Sequence, residues 1–171
     1  MNISMKRLLI LFILVNFSLG VYAQEEKFKA VFVYNFGRYI DWPASSISEN
    51  FIICIIGNAA LIEELQGIAS IKKISNRKIT VLSLKAGQTI PQCQILFISK
   101  ENAGQIGNLA KSIATKPILI ITDKSNGCRV GAGINFIMKN QNLNFEVNKS
   151  NITARGLTVS AQLLTLGTVV E

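Results

Sequence analysis

The feature that most restricts the fold is a series of short apolar runs in the middle of the chain: Phe51 to Ile56, Ile79 to Leu84, Ile95 to Ser99 and Ile118 to Asp123. Each has the length of a strand and is too short for a buried helix, and such runs suit strands covered on both faces. The intervening segments change period. Asn58 is placed to cap a helix whose stripe is Leu61, Ile62, Leu65 and Ile68, and Glu101 to Thr115 carries Ile106, Leu109 and Ile113 at helical spacing. Ahead of them, Phe28, Val31, Phe32, Phe36, Tyr39 and Ile40 predict a first helix from Glu25 towards Trp42, stopped by Pro43. Strands separated by helices need crossover connections. The expected fold is therefore α/β, a three-layer α/β/α sandwich around a mixed, mostly parallel sheet.

The last third reads differently. Ile134 to Met138 and the alternating Leu143, Phe145 and Val147 predict a hairpin with a four-residue polar connection, Lys139 to Asn142. Gly131-Ala132-Gly133 lacks the third glycine of a dinucleotide loop and predicts close backbone packing at a strand start. Ser160 is placed to cap a closing helix that runs to Val170.

The first residues stand apart from this pattern. Lys6 and Arg7 precede the apolar run Leu8 to Val15, and Val21-Tyr22-Ala23 offers a small residue for cleavage. This predicts a signal peptide over residues 1–23 and one domain over residues 24–171. An uncleaved anchor is the alternative, although the run falls short of the roughly 20 residues that span a bilayer. Cleavage leaves 16 basic against 10 acidic residues, a formal charge of +6 in place of +8. Those charges are scattered, with no basic run of the kind that binds nucleic acid, so a nucleic-acid partner is not expected.

Chemistry is bounded by the absence of histidine, the commonest general base and metal ligand. No catalytic residue, metal or cofactor is assigned, and the chain is read as no enzyme. Glu63-Glu64 diverge on a helix, while Asp41, Asp123 and Glu146 are isolated in sequence. Asp123, at the carboxyl end of a buried strand, stands where ligands of open sheets bind; its competing reading is a loop carboxylate that caps backbone N–H groups. Cys54, Cys93 and Cys128 lack metal-site spacing. An oxidising compartment permits one disulfide, and the strand-like settings of Cys54 and Cys93 make them the expected pair; three unpaired thiols are the alternative.

The motifs Lys29-Ala30-Val31-Phe32-Val33-Tyr34-Asn35-Phe36 with Asp41-Trp42-Pro43, Cys54-Ile55-Ile56-Gly57, Cys93 to Ile98, Ile120-Ile121-Thr122-Asp123, Gly131 to Phe136, Phe145-Glu146-Val147-Asn148, and Gly156 to Ser160 with Leu163-Leu164 occur in that order. Together they resemble the YfiR-like proteins, periplasmic inhibitors of membrane-bound diguanylate cyclases. The resemblance implies a periplasmic regulator, a Cys54–Cys93 disulfide, a homodimer, and a partner-binding surface near Glu146 and Ile152. Its implied partner is a membrane-bound signalling protein, a diguanylate cyclase or a histidine kinase. Some members pair the cysteine aligned with Cys128 to another seven residues on, where this chain has Asn135. Two other functions compete. One is a small-ligand sensor or accessory protein of a histidine kinase system, suggested by Tyr34, Tyr39 and Trp42; the other is a carboxylate enzyme using Asp123 and Glu146.

Overall fold

A computed structural model describes residues 24–171; the expected signal peptide lies outside them. The elements are α1 (residues 24–39), β1 (Ile40–Asp41), β2 (Asn50–Ile56), α2 (Ala59–Ile71), β3 (Lys73–Ile74), β4 (Arg77–Leu84), β5 (Ile95–Ile98), α3 (Ile106–Ser112), β6 (Leu119–Thr122), β7 (Ile134–Lys139), β8 (Asn142–Asn148), α4 (Lys149–Thr153), β9 (Thr158–Val159), α5 (Ala161–Leu166) and β10 (Thr168–Val170). Eight strands form one sheet in the order β10-β8-β7-β6-β5-β2-β4-β3. Only the β7–β8 and β3–β4 pairings are antiparallel; the rest are parallel.

Strand alternation divides the interior into two cores. Phe51, Ile53 and Ile55 of β2, Ile95 and Phe97 of β5, and Leu119 and Ile121 of β6 face α1, α2 and α5. Cys54, Ile56, Leu96, Ile98 and Ile120 point the other way, towards Ile106 of α3 and the segment holding Ile90 and Cys93. The expected three-layer α/β/α arrangement with a mostly parallel sheet is therefore observed. Asn58 caps α2 as its position predicts, its side-chain oxygen accepting the Leu61 N–H at 2.9 Å.

Several local expectations are corrected. The buried face of α1 is Ala30, Val33 and Phe36, continued by Ile40 of β1, while Phe28 and Val31 are exposed. The hairpin turn is only Asn140-Gln141, because both residues take positive φ (51° and 63°), as a two-residue type I′ turn requires. The 101–115 segment begins as a 3-10 stretch, Lys100–Gln105, before α3. The closing helix stops at Leu166, and the β-branched Thr168-Val169-Val170 forms a strand parallel to β8 instead. A two-residue ladder, Ile40–Val159 and Asp41–Thr158, joins the two ends of the domain.

Candidate functional site

The carboxyl ends of β5 and β6 carry a dense polar cluster. Lys29 sits one turn below Val33 on α1 and is only 4% exposed. Its Nζ lies 2.9 Å from carboxylate oxygens of Glu25, Glu26 and Asp123. Burial opposes its charge, yet hydrogen bonds to Asp123, Glu26 and Glu25 outweigh that and hold the ammonium above its ordinary range. Glu26 also accepts the Asn58 side-chain amide at 2.9 Å, which ties α1 to the start of α2. Asp123 uses its other oxygen to accept the Lys100 N–H at 2.7 Å. It therefore caps backbone, as its competing reading had it, while it pairs a buried lysine.

Beside this cluster opens a cleft of about 540 Å³ that includes Lys29, Lys100, Asp123 and Ser125 in its polar lining and Phe136, Met138 and Leu143 in its apolar one. It lies where parallel sheets bind ligands. Tyr34, Tyr39 and Trp42 are not gathered into it. Tyr34 reaches the Lys73 carbonyl, Tyr39 lines a separate apolar groove with Phe32 and Leu163, and Trp42 stands edge-on to Phe51 with centroids 5.2 Å apart.

Glu146, on β8, accepts from the side-chain amide of buried Asn135 at 2.9 Å. It lines a cleft of about 370 Å³ with Asn126, Cys128, Arg129, Val170 and Glu171. Asp123 and Glu146 line different clefts. Ile152 is not an exposed anchor: it is 1% exposed in α4 and covers Gly133 so closely that a Cβ there would meet it at 2.8 Å. That contact is the close packing expected of the Gly131-Ala132-Gly133 segment. Asn151 holds α4 in place by donating to the Cys128 and Ala132 carbonyls at 2.7 and 2.8 Å.

All three cysteines are buried thiols in this structure. Cys54 and Cys93 belong to the second core, and each thiol acts on the other's titration. The proximity of Cys93 holds the Cys54 thiol below its ordinary range, while Cys54, reinforced by burial, pushes the Cys93 thiol up. Cys128 stands apart, its thiol pushed up to about 12 by burial and then by the Glu146 charge. The residue missed by sequence reasoning is Lys29 as a buried cation. Its signal was available: Lys29, Val33 and Phe36 share one helical face, so the lysine lies on the apolar stripe.

Among the described residues, no helix is long and apolar enough to cross a membrane. The model of one protein family, DUF4154, described as YfiR/HmsC-like, matches residues 26–168, which run from α1 to the start of β10. No curated protein matches the chain.

Proposed function

Since the chain belongs to the YfiR/HmsC-like family, we propose that it is an exported periplasmic regulator that binds a membrane-bound signalling protein, a diguanylate cyclase, and holds its output down. The observation that carries this reading is the span of the family match, which takes in nearly the whole α/β unit. Inhibition by contact needs a rigid scaffold with a few exposed anchors, which the doubly covered sheet supplies without calling on a histidine. Deleting the gene is expected to raise cellular cyclic di-GMP; unchanged cyclic di-GMP together with unchanged kinase output would overturn the reading.

The partner surface we assign is the cleft around Glu146, with Arg129 beside it. Ile152 contributes from beneath, by seating α4, and not by direct contact. Glu146→Arg is expected to weaken binding to the partner's periplasmic region by about tenfold or more, with the far-UV spectrum and unfolding midpoint kept. Full-strength binding by a folded Glu146→Arg protein would move the interface elsewhere. The same reading includes the signal peptide over residues 1–23, a Cys54–Cys93 disulfide in the oxidised protein, and a homodimer.

A second reading, a small-ligand sensor serving a histidine kinase system, draws support from the cleft beside Asp123, which offers both charge signs and an apolar wall. A thermal shift with a metabolite that is abolished by Lys100→Glu would favour it over direct inhibition.

A further inference from the structure

A third opening, of about 280 Å³, lies at the amino ends of β5 and β6, the opposite end of these strands from Asp123. Its lining includes Ser45, Ser46, Gln92, Cys93 and Lys116. The wall is built rather than incidental. Gln94, fully buried, donates from its side-chain amide to the Ser46 carbonyl at 2.8 Å and accepts the Ile52 N–H at 2.7 Å, which pins the 43–47 turn against β2. Cys93, 2% exposed, is the cysteine that lines this cleft. Cys54 lies beyond it in mid-strand, fully buried and absent from the lining. Lys116, exposed at the rim, is close enough for its charge to act on the Cys93 sulfur. Cys128 belongs to a different cleft, beside the Glu146 carboxylate.

We propose that the Cys54–Cys93 pair exchanges with external thiols at one sulfur only, Cys93, through the cleft beside Lys116, and that the matching reagent is a small acidic thiol or its disulfide. This rests on the disulfide included in the proposed function. In reduction, an external thiolate attacks Cys93 Sγ. The Cys54–Cys93 bond breaks, and its electron pair leaves on Cys54, which takes up a proton. The product is a mixed disulfide on Cys93. A second external thiolate then attacks the external sulfur of that mixed disulfide and releases Cys93, which is protonated in turn. Two external thiols are oxidised to one disulfide and the protein disulfide is reduced to two thiols. Oxidation runs back along the same path, with Cys54 as the resolving thiol. The preference for an acidic reagent follows from the Lys116 charge in the lining of the same cleft.

The test begins with a thiol titration of denatured protein purified after export without reductant. One titratable thiol is expected; three would mean that no bridge exists, and the disulfide reading itself would fall. Reduced Cys54→Ser and Cys93→Ser proteins are then exposed, folded, to glutathione disulfide and followed by intact mass and peptide mapping. Cys54→Ser is expected to accumulate glutathione on Cys93, whereas Cys54 in the Cys93→Ser protein reacts about tenfold more slowly or less. Equal or faster modification of Cys54 overturns the proposal. Should either variant misfold, acid-quenched partial reduction of the oxidised wild type by glutathione decides the matter, with the adduct expected on Cys93 and an adduct on Cys54 refuting it. Lys116→Glu should lower the rate with glutathione disulfide relative to cationic cystamine by roughly threefold or more. An unchanged ratio removes the preference for an acidic reagent.

Discussion

Lys29→Ala is expected to cost about 3–5 kcal/mol of folding stability, the loss seen when one partner of a buried ion pair is deleted. The side chain that disappears is 4% exposed and satisfies Glu25, Glu26 and Asp123 at once. Its removal leaves three carboxylates crowded together, two of them well buried, with their neutralising charge gone. Urea unfolding followed by the fluorescence of Trp42, the sole tryptophan, measures the loss directly. A loss below about 1 kcal/mol would class the cluster with ordinary surface pairs and refute the assignment. Lys29→Met combined with Asp123→Asn should recover part of the loss, because an uncharged amide tolerates an apolar neighbour better than a carboxylate does. The direction of the Lys29 shift also fixes a pH window. A cation whose folded pKa is raised contributes its full stabilisation below the ordinary lysine value of 10.5 and loses it as pH rises through the higher folded value. The contribution of Lys29 is therefore constant through neutral pH and falls only in strong alkali, where Lys29→Met should lose its disadvantage.

Phe36→Ala should be about as damaging, at about 3–5 kcal/mol for a large-to-small change at a closed core site. Phe36 is 1% exposed, and its ring lies 4.9 Å from Phe145, 5.8 Å from Phe136 and 6.0 Å from Phe32 between centroids. These rings come from α1, β7 and β8, so the cluster fastens the first helix to the late hairpin. Phe36→Leu, which keeps most of the volume, should cost about 1.5 kcal/mol or less. Comparable losses for the two substitutions would mean that ring geometry, not filled volume, carries the contribution. Thermal unfolding of both proteins separates the outcomes.

The central sheet was legible because β2, β5 and β6 are covered on both faces, and strands so placed are apolar at nearly every position. The edges were not. The β10 residues follow a leucine-rich helix after a single Gly167, and three residues are too few for an alternation to register. The hairpin turn Asn140-Gln141 lacks the glycine that usually marks a two-residue turn, so its positive φ angles left no trace in composition. The site was legible in parts. Asp123 stood out through its strand-end position, and Cys54 and Cys93 through their strand settings, since all three follow from local pattern. Glu146 and Ile152 came from family resemblance, and only the fold separates them into a cleft residue and a core residue. The Lys29–Asp123 bond spans 94 residues of sequence, and no local pattern encodes a partner that distant.

The short ladder between β1 and β9 sets an order of assembly. Ile40 has its strand partner in Val159, so the end of α1 is stitched down only once residues nearly at the far end have been made. Synthesis delivers α1 early and its fastening late. Throughout that interval Phe32 and Phe36 stand without Phe136 and Phe145 of the hairpin, which is the moment at which a holding chaperone would find them.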